Sequence, residues 1–280
     1  ANVNLLYPYT ALRAVNVTGT HEALRLSSYK KTKPFHYLST LDVLESVATT
    51  GQHTILEEES IEQGNGISGG YAQTKWVAEQ LVTHASRRGL PVSIYRPGMV
   101  SGHSQTGYTN TRDLTSRFIK SLIELKKNPE IALMIDMTPV DYLSKAIAVL
   151  SLQATQSRKV FHIFNPQPIA LHEMVAILNS YGHSIKKAPY IEWQAMLRLL
   201  QNELSSLAAP MTESLSEDGL TYLELWLGGT EGIDAGNTLE GIKDCHLSCP
   251  PADAELIDKY MKYFVRCDFI KNEKLVIAET

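Results

Sequence analysis

The sequence predicts an α/β fold: a parallel sheet with helices on its faces, followed by a mostly helical C-terminal region. Three observations predict it. Helical and strand-like patterns alternate from Leu12 to Gly98 in the order helix, strand, long loop, helix, strand; such alternation builds parallel sheets. After Gly107 the texture shifts to amphipathic helices with short interruptions. The composition is ordinary for a globular chain, with 280 residues, 44% apolar and 20% charged, enough to bury a core in one large domain or two smaller ones. The expected division is residues 1–107, carrying the sheet, and residues 108–280, mostly helical with some strands returning to the sheet. A net charge of −4 with scattered basic residues argues against a nucleic-acid surface. The densest basic cluster, Lys30-Lys31-Thr32-Lys33, reads as a solvated loop.

Each element has a local reason. Leu12, Val15, Val17, Ala23, Leu24 and Leu26 recur at mostly helical spacing up to Ser28. Phe35, Tyr37 and Leu38 are β-formers after a proline. A polar, glycine-rich loop runs from Thr49 to Gly70. "YAQTKWVAEQLVTHASRRG" is a helix closed by Gly89, and "LPVSIYRPGMVSG" a buried strand ending at Pro97-Gly98. Further on, "DLTSRFIKSLIELKKNPEI" is an amphipathic helix. A turn at Pro139 leads into a helix near Val140-Asp141, with Asp141 as its expected N-cap. "KVFHIFNPQPIALHEMVAILNSYG" reads as strand, turn and helix; "EWQAMLRLLQNELSSLAAPM" and an Asp253-capped segment are the last helices. There is no apolar run of 18 residues, so no membrane span is expected. The start lacks a signal-peptide pattern and an initiator methionine, so the chain reads as a processed or excised piece. Three cysteines, an odd number without a secretory signal, fit a reducing, cytoplasmic compartment. Cys245, His246 and Cys249 lack a well-spaced fourth ligand, so no metal is expected.

The chemistry points to Tyr71 and Lys75. At i and i+4 they share one helix face. A nearby ammonium favours the phenolate, so the Tyr71 pKa is expected to fall from about 10 toward neutrality. A tyrosine so tuned exchanges a proton with a carbonyl oxygen. Taken alone, the spacing better describes a helix start with a snorkelling lysine. Three features favour chemistry: a strand ending in Ser39-Thr40 upstream, the "YRPGMVSG" turn downstream, and "NVTGT" opening a helix with small residues. In a parallel sheet, strand carboxyl ends form the site.

Together, "NVTGT", "YLST", "YAQTKWVAE" and "YRPGMVSG" resemble the extended short-chain dehydrogenase/reductase family. "NVNLLYPYTALRAVNVTGT", "GLPVSIYRPGMVSGHSQTGYTNTRD" and "CPPADAELIDKYMKYFVRCDFI" are similar to terminal thioester reductase domains of nonribosomal peptide and polyketide synthetases, relatives of carboxylic acid and aminoadipate reductases. The resemblance covers nearly the whole chain. It implies a Rossmann-like sheet, N-terminally incomplete, with a mostly helical subdomain facing substrate and carrier protein. It assigns catalysis to Thr40, Tyr71 and Lys75. Cofactor contacts would come from Asn16, Ser39, Tyr71, Lys75, Arg96, Pro97, Gly98 and Val100. Asn16 would join the lysine's proton relay or simply pack its helix; Arg96 would line the nicotinamide turn or pin it. Ser101, His103, Asn110 and Asp113 would line the acyl pocket, although a solvated loop explains His103 as well. The implied reaction is NADPH-dependent reduction of an acyl or peptidyl thioester, held on a carrier protein's phosphopantetheine arm, to an aldehyde and in some cases an alcohol.

One departure stands out. No glycine-rich strand–helix turn precedes Asn16, and Gly64 to Gly70 lies in a loop before the Tyr71 helix. The expectation is therefore a fragment lacking the N-terminal half of the dinucleotide-binding domain. Two alternatives are another extended short-chain enzyme, such as a nucleotide-sugar epimerase or dehydratase, and a cofactor-free docking module.

Overall fold

A computed structural model describes residues 1–45, 54–153, 159–200, 211–214, 221–225 and 229–271. The first helical stretch, Tyr9–Arg13, passes through a π turn at Ala14–Thr18 into Gly19–Ser28. The edge strand Phe35–Leu38 follows, then a 3-10 turn at Leu41–Leu44. The Tyr71 helix is Gly70–Arg87, and Gly89 takes φ +94° just after it, the left-handed closure glycine permits. The central strand Val92–Pro97 is buried along its whole length, as a strand covered on both faces must be.

Among the described residues the main sheet has three parallel strands: Phe35–Leu38, Val92–Pro97 and, returning from beyond residue 107, Lys159–Ile163. Leu24, Ala78, Val82, Val92, Ile94 and Val160 bury one face of it. Tyr95, Leu143, Ala146, Leu150, Phe161 and Ile163 bury the other, beneath the helix Val140–Leu152. A second, larger apolar core joins the helices Leu114–Leu125, Leu171–Ser180, Tyr190–Arg198 and Ala254–Arg266.

Two expectations change. Asp141 is not the N-cap of its helix: Pro139 holds that position, and the Asp141 carboxylate instead accepts from Ser104 N (2.7 Å) and Ser104 Oγ (2.8 Å). The helix expected from Glu192 begins at Tyr190 and is described to Arg198; residues 201–210 lie outside the described residues. Asp253 does cap the last helix, accepting from Leu256 N at 3.0 Å. Among the described residues, no helix is long and apolar enough to cross a membrane.

Candidate active site

The carboxyl ends of the edge and central strands open onto a cleft of about 1210 Å³. Thr40 and Tyr71 line it together, with Gly98 and Val100 on the facing turn and Asn110 and Asp113 farther along. Thr40 sits at its place because the edge strand ends at Leu38 and the next turn needs a cap. Its Oγ1 accepts from Asp42 N at 3.3 Å, and Thr40 lies near enough to Tyr71 to influence its phenol. Tyr71 enters from the first turn of its helix. Two hydroxyl-bearing residues from different elements thus line one cleft, and two such donors can serve one oxyanion.

The expected electrostatics are reversed. Burial first, and the Asp42 carboxylate second, push the Tyr71 phenol above its ordinary value; the nearby Thr40 hydroxyl only partly opposes them. Lys75 does not lower it. The Lys75 ammonium is buried, donates to the Leu38 carbonyl at 2.6 Å and lies 4.3 Å from the centre of the Tyr37 ring. Burial pushes it down to about 8, with Glu79 opposing. Sharing a helix face does not suffice, because the carbonyl at the strand end captures the lysine.

Five residues expected at the cofactor do not line the cleft: Lys75, held at the strand end, and Asn16, Ser39, Arg96 and Pro97, which are buried behind it. Asn16, in the π turn, gives its amide to Thr74 Oγ1 and Asn2 O (3.0 Å each) and accepts from Asn2 N at 2.7 Å. It clamps the N-terminal segment to the Tyr71 helix instead of relaying protons to Lys75. Ser39 Oγ donates to Glu79 Oε2 at 2.5 Å. Arg96 is fully buried and pairs with Glu79 through Nη2 (2.5 Å) and Nε (3.1 Å). Its Nη1 donates to His162 Nε2 at 3.1 Å, so that nitrogen is an acceptor and Nδ1–H donates to the Asp234 carbonyl at 2.7 Å. Burial, then Arg96, push His162 down to about 4, consistent with a neutral ring. Arg96 therefore pins the turn from behind. Pro97 is buried as the last residue of the central strand.

On the acyl side, Ser101 is also turned away: its hydroxyl bonds Tyr260 Oη at 2.8 Å and ties the turn to the last helix. His103 is outside the cleft lining, accepting from Gln105 N at 3.2 Å. Asn110 and Asp113 do line the cleft, and Asp113 also caps the helix Leu114–Leu125 through Ser116 N at 2.7 Å.

Sequence reasoning missed two carboxylates. Asp42 lines the cleft beside Tyr71, and burial pushes it up to about 6. Asp136 accepts from Met99 N (2.8 Å), Thr138 Oγ1 (2.7 Å) and Asn165 N (2.9 Å), and burial pushes it up to about 6. It sits so close under Gly98 that a Cβ there would run into the carboxylate. A signal existed: Asp136 is a lone acid in the apolar run "IALMIDM", and such an acid, if buried, must hold backbone donors.

The Tyr71 end has the hydroxyls and small-residue turn that a nicotinamide and its ribose require. The rest of the lining carries Asp42, Glu45, Asp113, Asp136 and Glu231 against Arg112 and Arg117, an acidic surface that does not suit a pyrophosphate. Among the described residues, no group of three His, Cys, Asp or Glu side chains is placed to hold a metal.

Comparison with known proteins fits this geometry. The model of an NAD-binding family described as Male sterility protein matches residues 1–147. The chain is 33% identical, over 95% of its length, to a linear gramicidin synthase polypeptide of Brevibacillus parabrevis, and 35% identical, over 97%, to glycine betaine reductase of Emericella nidulans. It spans 5% and 21% of those proteins. Among solved structures, the terminal R domain from the myxalamid PKS-NRPS biosynthetic pathway superimposes with a TM-score of 0.84 at 39% identity, covering 97% of this chain and 68% of that one.

Proposed function

The chain belongs to the NAD-binding family described as Male sterility protein, and on that premise we propose that it carries the acid end of a nicotinamide-dependent thioester reductase site. The substrate is an acyl or peptidyl thioester on a carrier-protein phosphopantetheine arm; the product is an aldehyde. The observation that carries this reading is that Thr40 and Tyr71 line one cleft together with Gly98 and Val100. The synthetase relatives and the R-domain likeness support it.

The cofactor, NADPH in this reading, supplies the hydride. Thr40 and Tyr71 receive the carbonyl oxygen, each donor contributing on the order of 10²–10³ in rate. Tyr71 then gives up its proton. A raised phenol pKa keeps Tyr71 protonated through the neutral range, so that the proton is present to be given, with a smaller driving force than an ordinary phenol offers. Collapse of that hemithioacetal expels the thiol. In this reading Lys75, held at the Leu38 carbonyl and outside the cleft lining, serves the ribose end. Its charge helps hold the hydroxyls there. Gly98 and Val100 form the wall against the nicotinamide, with Asp136 fixing that turn from beneath.

The reading includes a partner segment carrying the glycine-rich pyrophosphate turn. The edge strand Phe35–Leu38 has a neighbour on one side only among the described residues, and Leu38 is half exposed. A parallel strand from that segment would pair there and hide the open edge. The test joins the two parts, supplies an acyl-carrier thioester and follows NADPH absorbance. Turnover that is lost in Tyr71→Phe supports the proposal. Turnover of a UDP-sugar with none of the thioester would replace it with an epimerase or dehydratase reading, and failure to bind NADPH would replace it with a docking module.

A further inference from the structure

We propose that Glu79 is a positioning residue for this site: its buried carboxylate fixes Thr40 through Ser39 and keeps the Lys75 ammonium charged. The inference rests on the reading of Thr40, Tyr71 and Lys75 given above. Glu79 and Arg96 are both fully buried. One carboxylate gathers three separate stretches of chain: Ser39 after the edge strand at 2.5 Å, its own Tyr71 helix, and Arg96 near the end of the central strand at 2.5 Å. Arg96 in turn is braced by His162 on the third strand at 3.1 Å. Ser39 is the residue before Thr40, so its bond to Glu79 sets where the strand ends and where the Thr40 hydroxyl emerges.

Glu79 also lies one turn beyond Lys75 on the same face. The titratable and charged groups around Lys75 are Tyr71 and Glu79 on its own helix and Tyr37 on the edge strand, with Arg96 beyond Glu79. Glu79 is the anion among them. Burial disfavours the ammonium, and Glu79 opposes that effect. Neutralising Glu79 has a double consequence, because a guanidinium cannot shed its proton. The anion disappears and Arg96 is left uncompensated behind Lys75; both changes weaken the lysine's hold on its proton.

The test reads the lysine directly on this chain, without an activity assay. Lysine labelled with ¹³C at Cε is titrated by NMR, and Lys75 is assigned by its absence in Lys75→Arg. Lys75 is expected to titrate near 8 in the wild type and about one pH unit or more lower in Glu79→Gln. An unchanged midpoint in a folded Glu79→Gln overturns the electrostatic half. Should that variant not fold, Glu79→Asp keeps the charge and is expected to keep the wild-type midpoint; a midpoint about one unit lower there overturns it equally. The positional half is read in the joined reductase with Ser39→Ala, which leaves the ion pair whole. Its kcat is expected to fall about tenfold with KM unchanged, the signature of an interaction made only in the transition state; an unchanged kcat overturns it. If the wild type turns over no thioester at all, the function reading fails while the lysine titration still stands or falls by itself.

Discussion

At the carboxyl edge of the sheet, Ser39, Glu79, Arg96 and His162 are buried and joined by directional bonds between charged and polar atoms. The C-terminal half is built differently: Phe118, Leu122, Trp193, Leu256 and Phe264 fill a core of apolar side chains. Burying charge costs several kcal/mol per ion and is repaid only by near-complete hydrogen bonding, so the sheet edge tolerates few residue types. An apolar core accepts many sequences of suitable volume. The first region therefore specifies where hydroxyls and an ammonium stand; the second supplies the mass that holds the far wall of the cleft.

Substitutions put that contrast at risk. The largest stability effect is expected for Glu79→Ala, which strands Arg96 in the interior and should cost about 3–5 kcal/mol in denaturant unfolding. A loss below about 1 kcal/mol would mean that the pair is not buried as described. Leu122→Ala in the apolar core should cost about 2–5 kcal/mol and leave the Lys75 titration in place, which separates the two regions.

Asp136 links the site to pH. Its pKa is raised from 3.8 to about 6, so the folded state binds its proton more tightly than the unfolded chain does. That contribution to stability is fully present below pH 3.8 and is lost as pH rises through 6, amounting to about 3 kcal/mol at most. Asp42 acts with the same sign. Unfolding measured from pH 4 to 7 should therefore fall less steeply in Asp136→Asn than in the wild type; parallel curves would contradict the burial of this carboxylate. The smallest effect is expected for Tyr260→Phe, which removes the bonds to Ser101 Oγ (2.8 Å) and the Gly102 carbonyl (2.9 Å). It should cost about 1 kcal/mol by the same measurement. A cost above about 3 kcal/mol would show that the turn depends on the last helix far more than two hydrogen bonds allow.

The same contrast explains what can be read from the sequence. The alternation of helix and strand patterns and the positions of the Tyr71 helix and central strand are legible, because periodicity and glycine closure are local signals. That Thr40 and Tyr71 line one cleft is legible because a parallel sheet brings strand ends and helix starts to one edge. The inward turn of Ser39 and Arg96 is not, since neighbouring residues in an extended segment point opposite ways and nothing in "YLST" says which one faces Glu79. The Lys75 contact escapes for a similar reason: i, i+4 spacing predicts proximity to Tyr71 but cannot weigh a competing carbonyl on another element. Asp113 and Asp141 illustrate the polar loops of the C-terminal half: the cap expected at Asp141 does not form, while Asp113, expected only at the acyl pocket, caps its helix.

The most direct test of the proposed chemistry is hydride transfer from NADPH to a carrier-bound acyl thioester, followed by absorbance and by detection of the aldehyde. It uses the chain joined to a glycine-rich dinucleotide-binding segment. Turnover is expected for the wild type, with a fall of about 10²–10⁴-fold in Tyr71→Phe and NADPH binding retained. Equal rates in the wild type and Tyr71→Phe would contradict the role of Tyr71 as the proton donor.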